Sequence, residues 1–133
     1  MDKLEYISRD LVSVYVGIKK YIVEIIGTEN ENEALLYQIK FQNREIQYAD
    51  KDNIVPITLT TEILEKNGWN KSKINDCAYF YYKDGLFLTY TSKDGKFWFD
   101  DFDYSSSICV DLPYVHSLQH LLFGLGINSE MEV

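Results

Sequence analysis

Between Leu11 and Ile57 the apolar residues recur at every second position. Val12, Val14, Val16 and Ile18 share one parity, and Tyr21, Val23 and Ile25 form a second such run. After Gly27 and the polar stretch Glu29–Glu33 come Leu35, Tyr37, Ile39 and Phe41, then a turn at Asn43 before Ile46 and Tyr48. A period of two, rich in β-branched and aromatic residues and punctuated by Gly and Asn, predicts four or five short antiparallel strands. So short a segment cannot bury two flat faces, so a small β-barrel-like (SH3-like) lobe over residues 1–57 is expected. Met1–Arg9 carries no period, and no element is assigned to it.

From Thr60 the pattern changes. Thr60 is placed to cap a helix, Glu62 lies in its first turn, and Gly68 stands where a left-handed residue would end it. Trp69 then falls where a side chain folds back on Leu64. The spacing predicts a two-turn connector helix. Beyond it, Cys77–Lys83, Leu86–Ser92, Phe97–Phe99 and Ser105–Val110 read as a four-stranded antiparallel β-meander. Asp84-Gly85 and Asp94-Gly95 turn the first two hairpins, since Asp-Gly tolerates the positive φ of a tight turn. Val115, Leu118, Leu122 and Leu125 recur at helical spacing, with Asp111 as a cap and Pro113 in the first turn. This C-terminal helix is expected to pack on the meander. The fold class is therefore α+β, with residues 58–133 forming the helix, meander and helix of one compact unit.

Composition narrows the function. The 133 residues are 46% hydrophobic and 26% charged, which is ordinary for a globular chain. The net charge of −8 disfavours direct binding to a phosphate backbone, which requires clustered Lys and Arg. The start of the chain lacks the apolar core of a signal peptide, and no stretch is long enough to span a bilayer. Cys77 and Cys109 sit in apolar, strand-like contexts and read as two buried thiols of a reducing compartment. The expected location is the cytoplasm, with no membrane association.

Motifs for chemistry fail on inspection. His116 and His120 are four apart, but Ser117 stands where a metalloprotease helix carries Glu, and both face away from the apolar stripe. A calcium loop starting at Asp101 would need Gly and Glu where Ser106 and Leu112 stand. Ser105-Ser106-Ser107 lies in no nucleophile elbow, and no Gly-rich phosphate loop exists. No enzyme, catalytic residue, metal or cofactor is expected. What stands out is aromatic crowding: of 11 Tyr, 7 Phe and 2 Trp, more than half fall between Tyr79 and Tyr104. Tyr79-Phe80-Tyr81-Tyr82 on one strand puts rings on both faces. Tyr79, Phe80, Tyr81, Tyr82, Phe87 and Trp98 are the candidate interaction surface.

Two blocks resemble a known group. Ile54-Val55-Pro56-Ile57-Thr58-Leu59-Thr60-Thr61-Glu62-Ile63-Leu64-Glu65-Lys66-Asn67-Gly68-Trp69 resembles a connector pattern, I-x-P-I-x-L-T-x-E-x-L-x-K-x-G-F. Tyr114-Val115-His116-Ser117-Leu118-Gln119-His120-Leu121-Leu122-Phe123 resembles a closing helix, Y-[LV]-H-x-L-Q-N-L-Y-F-A-L. Both belong to small proteins of phages, prophages and mobile elements of Bacteroidetes bacteria. His120 replaces the usual Asn and Leu122 the usual Tyr. The resemblance implies a phage- or prophage-type accessory protein and no catalytic residue. The reading that follows is binding of a protein partner, from the host or as a second copy in a homodimer. Two rival readings are a small-molecule or nucleotide-binding (sequestering, anti-defence) protein and an acidic mimic of nucleic acid.

Overall fold

The computed structural model describes residues 6–31, 34–100 and 109–133. The chain is α+β, built mostly of strands in two five-stranded antiparallel sheets with two α-helices. It divides into two units, Met1–Ile57 with Tyr114–Glu130, and Thr58–Pro113 with Met131–Val133. Among the described residues no helix is long and apolar enough to cross a membrane.

The first unit carries strands β1 (Leu11–Val16), β2 (Lys19–Glu31), β3 (Ala34–Lys40), β4 (Ile46–Asp50) and β5 (Ile54–Pro56), in the order β4-β3-β2-β1-β5. The alternating apolar residues meet across it: Val12 faces Val23, Ile25 faces Ile39, Tyr37 faces Ala49 and Val14 faces Ile54. These side chains, with Tyr6, form one buried cluster. Five strands laid flat would hold β4 and β5 about 19 Å apart at the usual strand spacing. Yet the single 3₁₀ turn Lys51–Asn53, rising only about 2 Å per residue, joins them. The sheet must therefore curl. It does not close, because among the described residues no ladder links β4 to β5. Nor does Gly27 end a strand as expected. It marks a bulge within β2, where a Cβ would stand 3.0 Å from the Gln38 amide oxygen.

The C-terminal helix α2 (Val115–Gly124) corrects the expected layout. It belongs to the first unit and not to the meander. Its stripe is as predicted at Val115, Leu118 and Leu122, which are all buried, while Leu125 is exposed. The reason for its placement is Gln119, a buried polar residue inside that stripe. Its amide oxygen accepts from Leu11 N–H at 2.8 Å, and its amide nitrogen donates to the Arg9 and Ser129 carbonyls at 3.0 and 3.1 Å. The irregular backbone ahead of β1 supplies groups that Gln119 can satisfy. Asp111, expected as the cap of this helix, is instead the last residue of a strand, and Tyr114 occupies the cap without a side-chain bond.

The two histidines of α2 are also engaged. His120 Nε2 lies 2.7 Å from the buried Asp10 carboxylate, which accepts from Ile7 N–H as well. The His116 ring stacks on Tyr114 and meets Tyr6 edge-on. Burial pushes the His116 imidazole below the usual histidine range, against the opposing pull of Asp10.

The second unit begins with helix α1 (Thr61–Lys66), whose ends match their sequence signals. Thr60 Oγ1 accepts from Ile63 N–H at 3.2 Å. Gly68 adopts φ +84°, and Trp69 N–H returns to the Leu64 carbonyl at 3.0 Å, burying both side chains. Then follow β6 (Asn70–Asn75), β7 (Ala78–Lys83), β8 (Leu86–Thr91), β9 (Lys96–Asp100) and β10 (Cys109–Asp111), ordered β10-β9-β8-β7-β6. The expected four strands are thus five. The fully exposed edge strand β6 escaped notice because an edge without a buried face needs no apolar alternation. Asp84-Gly85 forms the two-residue turn with both φ positive, at 51° and 80°. Asp94-Gly95 does not: a longer loop is closed by Gly95 N–H to the Thr91 carbonyl. Cys77, expected buried, is exposed between β6 and β7. The acidic corner at Asp101–Asp103, the serine run Ser105–Ser107 and most of the expected fourth strand lie outside the described residues.

Two outcomes follow. Replacing Gln119 by Leu leaves Leu11 N–H and two carbonyls without partners in a buried setting; urea unfolding should show a loss of about 2–3 kcal/mol. The depressed His116 means the unfolded chain takes up a proton that the folded one resists. Stability is therefore fully present above pH ~6.5 and is lost as pH falls below it. Unfolding midpoints across pH 5–8 should show this slope in the native chain, reduced in His116→Gln.

Candidate interaction surface

Antiparallel register sorts the aromatics of the second sheet. Residues paired across strands share a face, and successive residues alternate. One row runs Lys71, Tyr81, Leu88, Phe99, Val110, with Lys73, Tyr79, Tyr90 and Phe97 in the parallel row on the same side. The opposite side carries Ser72, Phe80, Thr89, Trp98 and Asp111 in one row, and Asn70, Tyr82 and Phe87 in the next.

The first face is the core of the unit. Tyr81 and Leu88 are fully buried and Phe97 nearly so. Tyr90 packs on Phe97 at 4.7 Å between ring centres, and Tyr81 and Tyr79 lie 6.5 and 6.4 Å from Tyr90. Helix α1 flanks this face: burial, then the Glu65 charge, push the Tyr81 phenol up to about 12.

The second face is open. Tyr82 and Phe87 are 41% and 45% exposed, two large rings paired across the strands beside the Asp84-Gly85 turn. Phe80 and Trp98 are half-buried beside them. Phe87 is the hub, tilted against Tyr82 at 6.0 Å and edge-on to Phe80 at 6.5 Å. Lys96 Nζ stands 5.9 Å from the Trp98 ring, so one cation borders the patch, with Asp111 exposed at its far side. The six sequence-predicted residues are therefore divided: Phe80, Tyr82, Phe87 and Trp98 come together on the open face, whereas Tyr79 and Tyr81 belong to the covered one. Period-two alternation along Tyr79–Tyr82 contained that split, but not which parity met α1.

The surface offers apolar area and π faces, with little charge. It can seat apolar or aromatic side chains; it has no anion cradle. Among the described residues no group of three or more His, Cys, Asp or Glu could hold a metal ion. No protein-family model, curated protein or solved structure matches the chain.

The two faces should respond differently to truncation. Tyr81→Ala removes a fully buried ring and should cost about 3–5 kcal/mol. Tyr82→Ser with Phe87→Ser removes only a solvent-facing cross-strand pair and should cost about 1 kcal/mol or less. Parallel urea titrations of the two variants measure the contrast.

Proposed function

We propose that this chain is a binding protein that presents the Phe80, Tyr82, Phe87 and Trp98 face to a protein partner, as a phage-type accessory protein of the bacterial cytoplasm. The observation carrying this reading is the cross-strand pair of exposed rings Tyr82 and Phe87 beside the Asp84-Gly85 turn, with two further aromatics on the same face. Exposed aromatics on a rigid platform bring large contact area at low conformational cost, the composition typical of interface centres. The net charge of −8 favours a protein over a nucleic acid. The first unit, in this reading, is an SH3-like module. Its strand order with β5 beside β1, and the 3₁₀ turn between β4 and β5, support that assignment.

Immobilised native chain and the Tyr82→Ser/Phe87→Ser variant should be compared in capture from a bacterial lysate, with light scattering on each. The expected result is a protein retained by the native chain and reduced at least about tenfold on the variant, as for central aromatic anchors. A native dimer converted to monomer by the same variant would name the second copy as partner. Retention and mass both indifferent to the substitutions contradict the assignment.

A further inference from the structure

The first unit carries a second feature, independent of the aromatic face. In a meander alternate turns lie at the same end of the sheet, so the β1–β2 hairpin and the β3–β4 loop are neighbours. That end is unusually apolar for a surface. Ile18 at the hairpin tip is 98% exposed, and Tyr15, Val16, Tyr21, Ile22 and Ile46 are each more than a third exposed. Between the two turns lies an open hollow of ≈ 340 Å³, lined by Lys20, Tyr21, Ile22, Phe41, Gln42 and Asn43. Tyr21 and Phe41 meet edge-on across it at 5.7 Å.

The hollow is held open by its own backbone. Phe41 N–H donates to the Glu45 carbonyl and Arg44 N–H to the Phe41 carbonyl, both at 2.9 Å. Asn43 Oδ1 accepts from Glu45 N–H at 3.0 Å. A site formed before its ligand arrives loses less entropy on binding.

Its charge runs against the rest of the molecule. The chain as a whole carries −8, yet Tyr15–Ile22 and Lys40–Gln47 contain Lys19, Lys20, Lys40 and Arg44 against the single acid Glu45. Lys40 lies opposite Glu24, and the Glu45 carboxylate accepts from Gln47. Lys19, Lys20 and Arg44 are exposed, and among the described residues none of them forms an ion pair. Lys20 lines the apolar hollow, and Lys19 and Arg44 adjoin its lining residues; cations without an ion pair among the described residues complement a ligand that is both acidic and apolar.

We propose that this end of the first sheet binds an acidic peptide segment, which seats an apolar side chain between Tyr21, Ile22 and Phe41 and sets its carboxylates on Lys19, Lys20 and Arg44. A peptide fits better than a bilayer. The Gln42 amide and the Asn43 amide nitrogen on the rim would lose water in hydrocarbon, whereas a peptide backbone can pair with them. The partner's acids also account for cations that form no ion pair with the described carboxylates of an acidic protein.

The test pans a displayed library of random dodecapeptides on the full chain, then measures a labelled enriched peptide by fluorescence anisotropy. Enriched sequences should carry Asp or Glu flanking Leu, Ile, Met or Phe. Lys19→Glu with Lys20→Glu, both at exposed positions, should weaken binding at least about tenfold, and added salt should weaken it further. Phe87→Ser, on the other surface, should leave the affinity unchanged, which separates this site from the aromatic face. Failure of any sequence to enrich, enrichment without acidic residues, or indifference to the charge reversal overturns the proposal. So does recruitment to phosphatidylserine vesicles that the reversal abolishes, because the surface is then a membrane contact.

Discussion

The second sheet depends on its strand register. Once Asp84-Gly85 sets Tyr82 opposite Phe87, every later pair follows, and the rings of β7, β8 and β9 are divided between two faces. A slip by one residue would exchange the faces, placing Tyr82 and Phe87 in the core and Tyr81 and Leu88 in water. The covered face resists that slip, because Tyr81, Leu88 and Phe97 are buried together beside α1. The open face is a by-product of this constraint as much as a separate design: a core built from alternate residues of an aromatic run leaves the other alternates outside.

The first unit is held by a different device. Its apolar cluster is drawn from the strands and Tyr6, while Gln119 ties α2 to the start of β1 and fixes its register there. A polar side chain in the middle of an apolar stripe restricts the helix to the place where backbone donors and acceptors await it. Asp10, just ahead of β1, and His120, the next residue of α2, add a second tie.

How much of this was legible in the sequence depends on how local the signal was. The alternation in Val12–Ile39, the Thr60 cap, the Gly68 stop and the Asp84-Gly85 turn are local devices, and the structure follows each. Edge strand β6 was not legible, because every residue of Asn70–Asn75 is exposed and so sets no apolar alternation. The docking of α2 was not legible either. Its stripe announces that it must cover something, while the choice of sheet lies with Gln119 and backbone groups more than a hundred residues away. The aromatic surface was half legible: the alternation was plain, but the parity that faces water is decided by α1. The grouping of Arg44 with Lys19 and Lys20 was not legible, since only the meander brings them to one end.

Hydroxyl-radical footprinting of the native chain, read residue by residue by mass spectrometry, tests the sorting of the rings most directly. Along Ala78–Lys83 and Leu86–Thr91, oxidation should alternate, with Tyr82 and Phe87 modified rapidly and Tyr81 and Leu88 protected. Tyr81 oxidised as fast as Tyr82, or Phe87 as slow as Leu88, would contradict the account.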